Sequence, residues 1–242
     1  RNGENANVAG LRLPAGQDEL IEAVHALGKP VVLVVLSGRP VTLTRAVRHA
    51  AAVLYAWHPG SRGAAALAEV LFGAAEPGGR LPVSLARSVG QVPVHYNHKS
   101  TGRPWIHYHD QPAAPLFPFG FGLGYTTFSF ADIAVERAEI GAGDTTVVSA
   151  QVTNTGARAG EAVAQCYVQD CVASTTRPVR ELKGFARVRL EPGEARRVAF
   201  TLGPDELGFY GRNGRRRVEP GQFTVWIGAD STAALETTFW VR

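Results

Sequence analysis

The segment that most constrains the fold of this chain is an aromatic, glycine-rich stretch at residues 115–128, PLFPFGFGLGYTTF. It holds four Phe, three Gly and two Pro, which excludes a helix because proline removes a donor and glycine adds chain entropy. It is also too apolar for a flexible linker. We therefore predict an extended strap with packed rings, at the point where the pattern changes from mixed helix and strand to strand alone.

The residues before the strap have the pattern of an α/β layer. Residues 17–27 are predicted to form a helix, because their apolar side chains recur at helical spacing. Four of them lie on one face, Leu20, Ile21, Val24 and Leu27. The other predicted elements are a strand buried on both faces over 31–36, a short helix over 42–50, a second buried strand over 51–57, and a helix over 61–72 with Ser61 as its N-cap. Alternating strands and helices indicate parallel strands.

The residues after the strap contain only short alternating segments. These segments are 145–153, 162–168, 196–202, 222–227 and 237–241, separated by turn sequences such as Asn154-Thr-Gly156. Their spacing predicts a β-sandwich of immunoglobulin or fibronectin type. The fold class is therefore α/β plus all-β, with predicted boundaries of 1–114 for the α/β part, 115–128 for the strap and 129–242 for the sandwich.

Composition excludes several classes of protein. The chain has 242 residues, 45% hydrophobic and 19% charged, and no apolar run near the roughly 18 residues of a membrane span. The net charge is only +4, and the cluster Arg215-Arg216-Arg217 is interpreted as an exposed hairpin tip rather than a nucleic-acid site. Neither a membrane nor a nucleic acid is therefore expected as a partner.

The two cysteines and the absence of methionine add two expectations. Cys166 and Cys171 are separated by an odd number of residues, so they face opposite ways along one strand and no disulfide is expected. The chain contains no Met, from which we expect that Arg1 is not the natural start. The compartment stays open between cytoplasmic and secreted or periplasmic.

Six short motifs occur in one order along the chain and resemble glycoside hydrolase family 3, the bacterial β-glucosidase and β-xylosidase type. They are LRLPAGQ (11–17), GKPVVLVVLSGRPV (28–41), AWHPG (56–60), AEVLFG (68–73), PGGRLPVS (77–84) and the strap itself. The segment 91–104, QVPVHYNHKSTGRP, is similar to bacterial periplasmic β-glucosidases. Each motif alone is weak, and the six in register make the resemblance specific.

The resemblance implies a three-part retaining glycosidase without a cofactor or metal. A barrel domain that supplies the nucleophilic aspartate would precede an α/β sandwich that supplies the acid/base and a fibronectin-type domain. This chain would correspond to the last part of the α/β sandwich and the whole fibronectin-type domain. Its expected partners are a β-glycoside or oligosaccharide substrate, the barrel domain or chain with the nucleophile, and as a further candidate a second copy.

The resemblance also assigns Glu4 as the general acid/base. The family's acid/base glutamate precedes a Leu-x-Leu-Pro-x-x-Gln pattern, and Glu4 stands nine residues before Leu13 of that pattern here. Many members carry Asp-Arg three and four residues after the glutamate, where this chain has Asn7 and Val8. The alternative for Glu4 is a solvated carboxylate near a chain terminus.

For each of the other candidate functional residues, a purely structural role is an alternative interpretation. Trp57 lies at the C-terminal end of a predicted parallel strand, where α/β sheets bind ligands, but a tryptophan packed in the core or between domains fits it as well. His95, His98, His107 and His109 lack the spacing of tight zinc sites and are interpreted as polar loop residues. Phe185 is expected in the sandwich core, and Trp226 and Trp240 in its core or at its edge.

Two functions of different class follow from these residues. The first is the C-terminal part of a retaining exo-β-glycosidase, with glucose as the first expected sugar and xylose as the next. The second is a non-catalytic accessory or assembly module that is inactive without the barrel domain. We also expect the isolated chain to oligomerise, because half a sandwich leaves strand edges and an apolar face uncovered.

Overall fold

The computed structural model describes residues 8–100 and 108–242 and divides them into two compact units. The first, here the α/β unit, comprises residues 8–75, 83–94 and 108–118. The second, here the β unit, comprises residues 76–82, 95–100 and 119–242. No helix in these described ranges has the length and apolar character of a membrane span.

The α/β unit contains two parallel strands and two helices. The elements are α1 (Gln17–His25), β1 (Val32–Val35), β2 (Ala52–Tyr55) and α2 (Gly63–Leu71), with 3₁₀ turns at Ala46–Arg48 and Val89–Gln91. Val32 lies opposite Ala52, and Val35 lies opposite Tyr55. The predicted parallel pairing of these two segments is therefore confirmed.

Two predictions of local structure in the α/β unit are wrong. The helix expected over 42–50 is only the 3₁₀ turn, because the hydroxyls of Thr42 and Thr44 donate to the carbonyls of Leu11 and Arg87 at 3.2 and 2.8 Å. Such bonds draw the chain away from helical pairing. Ser61 is not the N-cap of α2, since the helix begins at Gly63 after a turn that Gly60 opens.

Burial in the α/β unit also differs from the prediction of fully buried strands. Val32 and Leu36 are exposed, at 53% and 61% of their surface. On α1, Ile21 alone of the four predicted apolar residues is buried, and Phe72 after α2 is 89% exposed. The apolar faces that the sequence pattern defines are present, but the residues of the described chain leave much of them uncovered.

The β unit is a sandwich of two antiparallel sheets, which confirms the predicted fold class. Its elements are β3 (Phe128–Val135), β4 (Glu139–Ile140), β5 (Thr146–Asn154), β6 (Gly160–Asp170), β7 (Glu181–Leu190), β8 (Ala195–Leu202), α3 (Pro204–Leu207), β9 (Phe209–Tyr210), β10 (Arg216–Arg217), β11 (Gly221–Gly228) and β12 (Glu236–Val241). One sheet has the order β4-β12-β11-β6-β7, and the other has the order β3-β5-β8. Among the described residues of this unit, β12 pairs in parallel with the short β4, and the other strand pairs are antiparallel.

The core of the β unit lies between the two sheets. Along β5, buried and half-buried residues alternate through the whole strand, as expected of a strand with one face on the core. Val148, Val152, Phe223, Ile227 and Phe239 are almost entirely inaccessible to solvent. Their burial supplies the hydrophobic stabilisation of this unit.

Phe185 is not in the core, contrary to the prediction. It is 66% exposed, because it lies an odd number of residues from Val188 and Leu190, whose side chains are buried. The inward position beside it is Gly184, where a Cβ would meet the ring of Phe200 at 2.8 Å.

Three smaller predictions for the β unit are confirmed. Arg216 and Arg217 are exposed in the hairpin of β9 and β10. Both cysteines are free, with Cys166 buried and Cys171 exposed. Trp226 is buried on β11, whereas Trp240 on β12 is 46% exposed.

The strap at 115–128 contains no helix, as predicted, but its extended course is interrupted by a turn at Phe119–Gly120, where φ of Gly120 is 81°. In the α/β unit, Leu116 donates to the carbonyl of Leu85 at 2.8 Å. In the β unit, the ring of Phe119 stacks on Tyr96 with centroids 4.2 Å apart, and the side-chain amide of Gln165 donates to the carbonyl of Gly120 at 3.1 Å. The domain boundaries at 114 and 128 stay a prediction.

Candidate functional site

The residue assigned as acid/base, Glu4, lies outside the described residues, as does His107. The described part of the candidate site lies on one side of the α/β unit. This is the edge where β1 and β2 end. Because the two strands are parallel, the loops at residues 36–40 and 56–60 leave the sheet at the same edge.

Hydrogen bonds within the α/β unit fix the loop after β1. The buried hydroxyl of Ser37 donates to the carbonyl of Arg39 at 3.0 Å and accepts from the Arg39 amide at 3.1 Å. The hydroxyl of Tyr55, the last residue of β2, donates to the same Arg39 carbonyl and accepts from the Val41 amide at 3.1 Å. The phenol of Tyr55 thus connects the end of β2 to the loop after β1.

A glycine and a histidine bring the two loops into contact. A Cβ at Gly38 would collide with the imidazole of His58, so the side chain of His58 occupies the space that Gly38 leaves. Gly38 lies in the turn sequence Ser37-Gly38-Arg39-Pro40. Its close approach to the second loop becomes visible only in three dimensions.

At this edge of the sheet, the backbone of Trp57 has an unusual conformation. Its φ is 51°, in the left-handed region that a bulky side chain rarely adopts. Strand pairing continues to Ala56, whose amide donates to the carbonyl of Val35 at 2.9 Å. The indole packs on Tyr55 with ring centroids 4.3 Å apart and remains partly accessible to solvent.

The histidine-rich segment provides no metal centre among the residues described. His95, His98 and His109 are in that part of the chain, and no group of three or more His, Cys, Asp or Glu side chains there is arranged to hold an ion. Nδ1 of His98 lies 3.1 Å from the carbonyl of Lys99. This contact agrees with the interpretation of the segment as a polar loop.

The sequence pattern did not identify two residues that shape this edge, Ser37 and Tyr55. Ser37 directly follows the strand predicted at 31–36, and its burial and its two hydrogen bonds set the shape of the loop. Tyr55 was read as part of a buried strand. The signal available in the sequence was one hydroxyl-bearing residue directly after the first predicted strand and another within the last turn-side residues of the second, near the edge where α/β sheets concentrate their ligand contacts.

Comparison with known proteins identifies the family. Residues 1–125, more than half of the chain, match the family model "Glycosyl hydrolase family 3 C-terminal domain". The chain belongs to glycosyl hydrolase family 3. Residues 162–231 of this family 3 chain also match a fibronectin type III-like domain, which agrees with the sandwich of the β unit.

Named relatives and solved structures of this family resemble the chain along almost its whole length. A periplasmic β-glucosidase of Salmonella typhimurium is 41% identical over 98% of this chain, and a β-xylosidase of Formosa agariphila is 43% identical over 96%. A β-glucosidase from Listeria innocua, solved in complex with glucose, aligns over 99% of the chain with a TM-score of 0.93 and 36% identity. A β-glucosidase from Erythrobacter marinus aligns over 98% with a TM-score of 0.94 and 42% identity.

The family 3 chain is shorter than these relatives. It spans 32% of the length of each of the two sequence relatives, and 34% and 31% of the two solved chains. The region of similarity therefore covers about a third of each relative.

Proposed function

We propose that this chain is the C-terminal part of a retaining exo-β-glycosidase that removes terminal β-linked sugars, and that it supplies the general acid/base, Glu4. The names of its relatives support a β-glucosidase first and a β-xylosidase next. The substrate is a β-glycoside or oligosaccharide. The nucleophilic aspartate belongs to a barrel domain outside the 242 residues of this sequence.

The observation that carries the proposal is the position of Glu4 relative to the motif at residues 11–17. Leu11, which opens the motif, accepts hydrogen bonds from the amide and the hydroxyl of Thr42 at 2.7 and 3.2 Å. Thr42 comes directly after the loop at the carboxyl end of β1. The motif is therefore attached beside the edge that carries Trp57, and Glu4 precedes it by only a few residues.

The chemistry requires two carboxyl groups about 5–5.5 Å apart. The aspartate attacks the anomeric carbon, and Glu4 donates its proton to the leaving oxygen as that bond breaks. Glu4, now ionised, then removes a proton from the water that hydrolyses the glycosyl-enzyme. Such a group needs a pKa that lies near the working pH, which burial or a nearby negative charge provides.

The test uses the full-length protein with Glu4→Gln and Glu4→Gly. Both variants should lose most of their hydrolysis of an aryl β-glycoside, and azide should restore turnover of the Gly variant by forming a β-glycosyl azide. Glu19→Gln is the matched control, since Glu19 is an exposed carboxylate on α1 that pairs with Arg45. Wild-type activity of Glu4→Gln, without azide rescue of the Gly variant, contradicts the assignment.

The second candidate is a non-catalytic accessory or assembly module. The exposed apolar residues of the α/β unit, among them Leu20, Leu27 and Phe72, favour a surface that other protein covers. On both views the purified chain alone is inert towards β-glycosides. The Glu4 variants in the full-length protein separate the two functions, because an accessory role does not depend on that carboxylate.

A further inference from the structure

We propose that Trp57 is a binding residue for the leaving-group part of the substrate, either an aryl aglycone or the second sugar of an oligosaccharide. The inference rests on the proposed function and extends it to substrate recognition. It starts from the backbone of Trp57 and from the edge of the sheet that surrounds it.

The backbone of Trp57 is held in an unfavourable conformation. Two non-glycine residues in the described ranges have positive φ, Trp57 at 51° and Asp132 at 52°. Asp132 is exposed at a register shift of β3, and aspartate tolerates this region because its short side chain can bond locally. Tryptophan has no such compensation. Strain of this kind persists where the surrounding structure imposes it, and it clusters at ligand-binding sites.

The surroundings of Trp57 form a rigid support for its indole. Tyr55 packs against the ring, and the Tyr55 hydroxyl is fixed by its hydrogen bonds to the backbone of Arg39 and Val41. On the other side of Trp57 in sequence, His58 fills the space over Gly38. An aromatic ring that is supported in this way and partly open to solvent binds a ligand with little loss of side-chain entropy.

The chemistry of the acid/base decides which part of the substrate this ring meets. A general acid protonates the glycosidic oxygen, so its carboxyl group lies on the side of the departing group. The nucleophile approaches the anomeric carbon from the other face of the sugar. Side chains at the edge of the sheet beside the motif at residues 11–17 therefore face the leaving group. The indole of Trp57 packs well on the apolar ring face of an aryl group or a sugar.

The experiment compares substrates that differ only in the leaving group. Trp57→Gly in the full-length protein removes the ring and relieves the backbone, because glycine adopts positive φ freely. We expect kcat/KM for aryl β-glycosides and disaccharides to fall about ten-fold, the scale of one aromatic contact. For the matching β-glycosyl fluoride, whose leaving group is too small to reach the indole, kcat/KM should stay at the wild-type value. Trp57→Phe should recover most of the activity on aryl glycosides.

The controls separate binding from a purely structural role. Trp240→Gly removes an exposed indole from the β unit and should leave all these substrates unaffected. An equal loss on the fluoride and on aryl glycosides, or no loss on either, overturns the proposal. Failure of the proposed function is distinguishable, because it appears as full activity of Glu4→Gln whatever the leaving-group profile of the Trp57 variants.

Discussion

Asp170 provides a test of how the β unit accommodates a buried carboxylate. It is the last residue of β6, is 7% exposed and lies opposite the buried Phe223 of β11. Neither carboxylate oxygen accepts a hydrogen bond of normal geometry from a described residue. Burial accordingly raises the pKa of Asp170 from 3.8 to about 6, and Arg177 offsets the effect of burial only in part. We expect Asp170→Asn to stabilise the protein above that pH.

The other groups around Asp170 do not reverse this effect. The Val172 amide lowers the pKa of Asp170, whereas Glu219 and Glu181 raise it. Arg177 is itself paired with Glu181, which limits how far Arg177 lowers the pKa of Asp170. Hydrogen bonds from Ser174 lower the pKa of Glu219.

The magnitude follows from the linkage between protonation and folding. The folded-state pKa lies about two units above the unfolded value, and each unit corresponds to about 1.4 kcal/mol, which gives about 2–3 kcal/mol. Because the pKa is raised, this contribution is fully present below about pH 4 and is lost as the pH rises through about 6. The asparagine variant has no such loss, so its advantage over wild type should grow from pH 4 to pH 8 by about 2–3 kcal/mol.

Urea denaturation at several pH values measures this difference. Intrinsic fluorescence of the four tryptophans, among them the buried Trp226 of β11, follows unfolding. An unchanged dependence of the unfolding free energy on urea concentration shows that the folded and unfolded states compared are the same. Asp205→Asn is the matched control, since it removes one negative charge at a side chain that is 91% exposed. If the free-energy difference between Asp170→Asn and wild type is the same at pH 4 and pH 8, the burial argument is refuted.

Three further predictions concern packing and surface chemistry. Gly120→Ala should lower the free energy of unfolding by about 2 kcal/mol or more, because φ is +81° there and a Cβ would collide with Gln165. Thermal unfolding checks this, with Gly143→Ala as the control, since a Cβ at Gly143 meets nothing. In the native protein a chromogenic disulfide reagent should label Cys171 alone, since burial raises the pKa of Cys166 to about 12; two rapid equivalents contradict this. The isolated chain should associate through its exposed apolar residues, and a monodisperse monomer by light scattering opposes that.

Local pattern was sufficient to predict most of the elements of both units. The strict alternation along β5 follows from the two-residue period of a β-strand. The turn at Asn154 follows from one side chain, whose oxygen accepts a hydrogen bond from the Gly156 amide in its own loop. The parallel pairing of β1 and β2 followed from the helix-length connection between them. These features depend on neighbours in sequence, so they are available from the sequence alone.

Two features that the sequence did not predict have a different cause, which is contact with distant residues. The segment at 42–50 has helical composition, but Thr44 bonds a carbonyl more than forty residues away. Trp57 could be placed at the end of a strand from the sequence, whereas its positive φ depends on the packing of two separate loops. The candidate site was thus predictable as a location and as a set of residue types, and its strained geometry was not.

The glycines of the strap show how such distant contacts also explain composition. A Cβ at Gly122 would lie 2.8 Å from the side chain of Arg80, and one at Gly124 would collide with the carboxylate of Glu76. That carboxylate accepts a hydrogen bond from the Glu161 amide at 2.8 Å, so it cannot move aside without losing this bond. Glycine at these two positions therefore reflects close approach within the β unit rather than chain flexibility. The same contacts explain why residues 76–82 belong to the β unit, although they precede the strap by more than thirty residues.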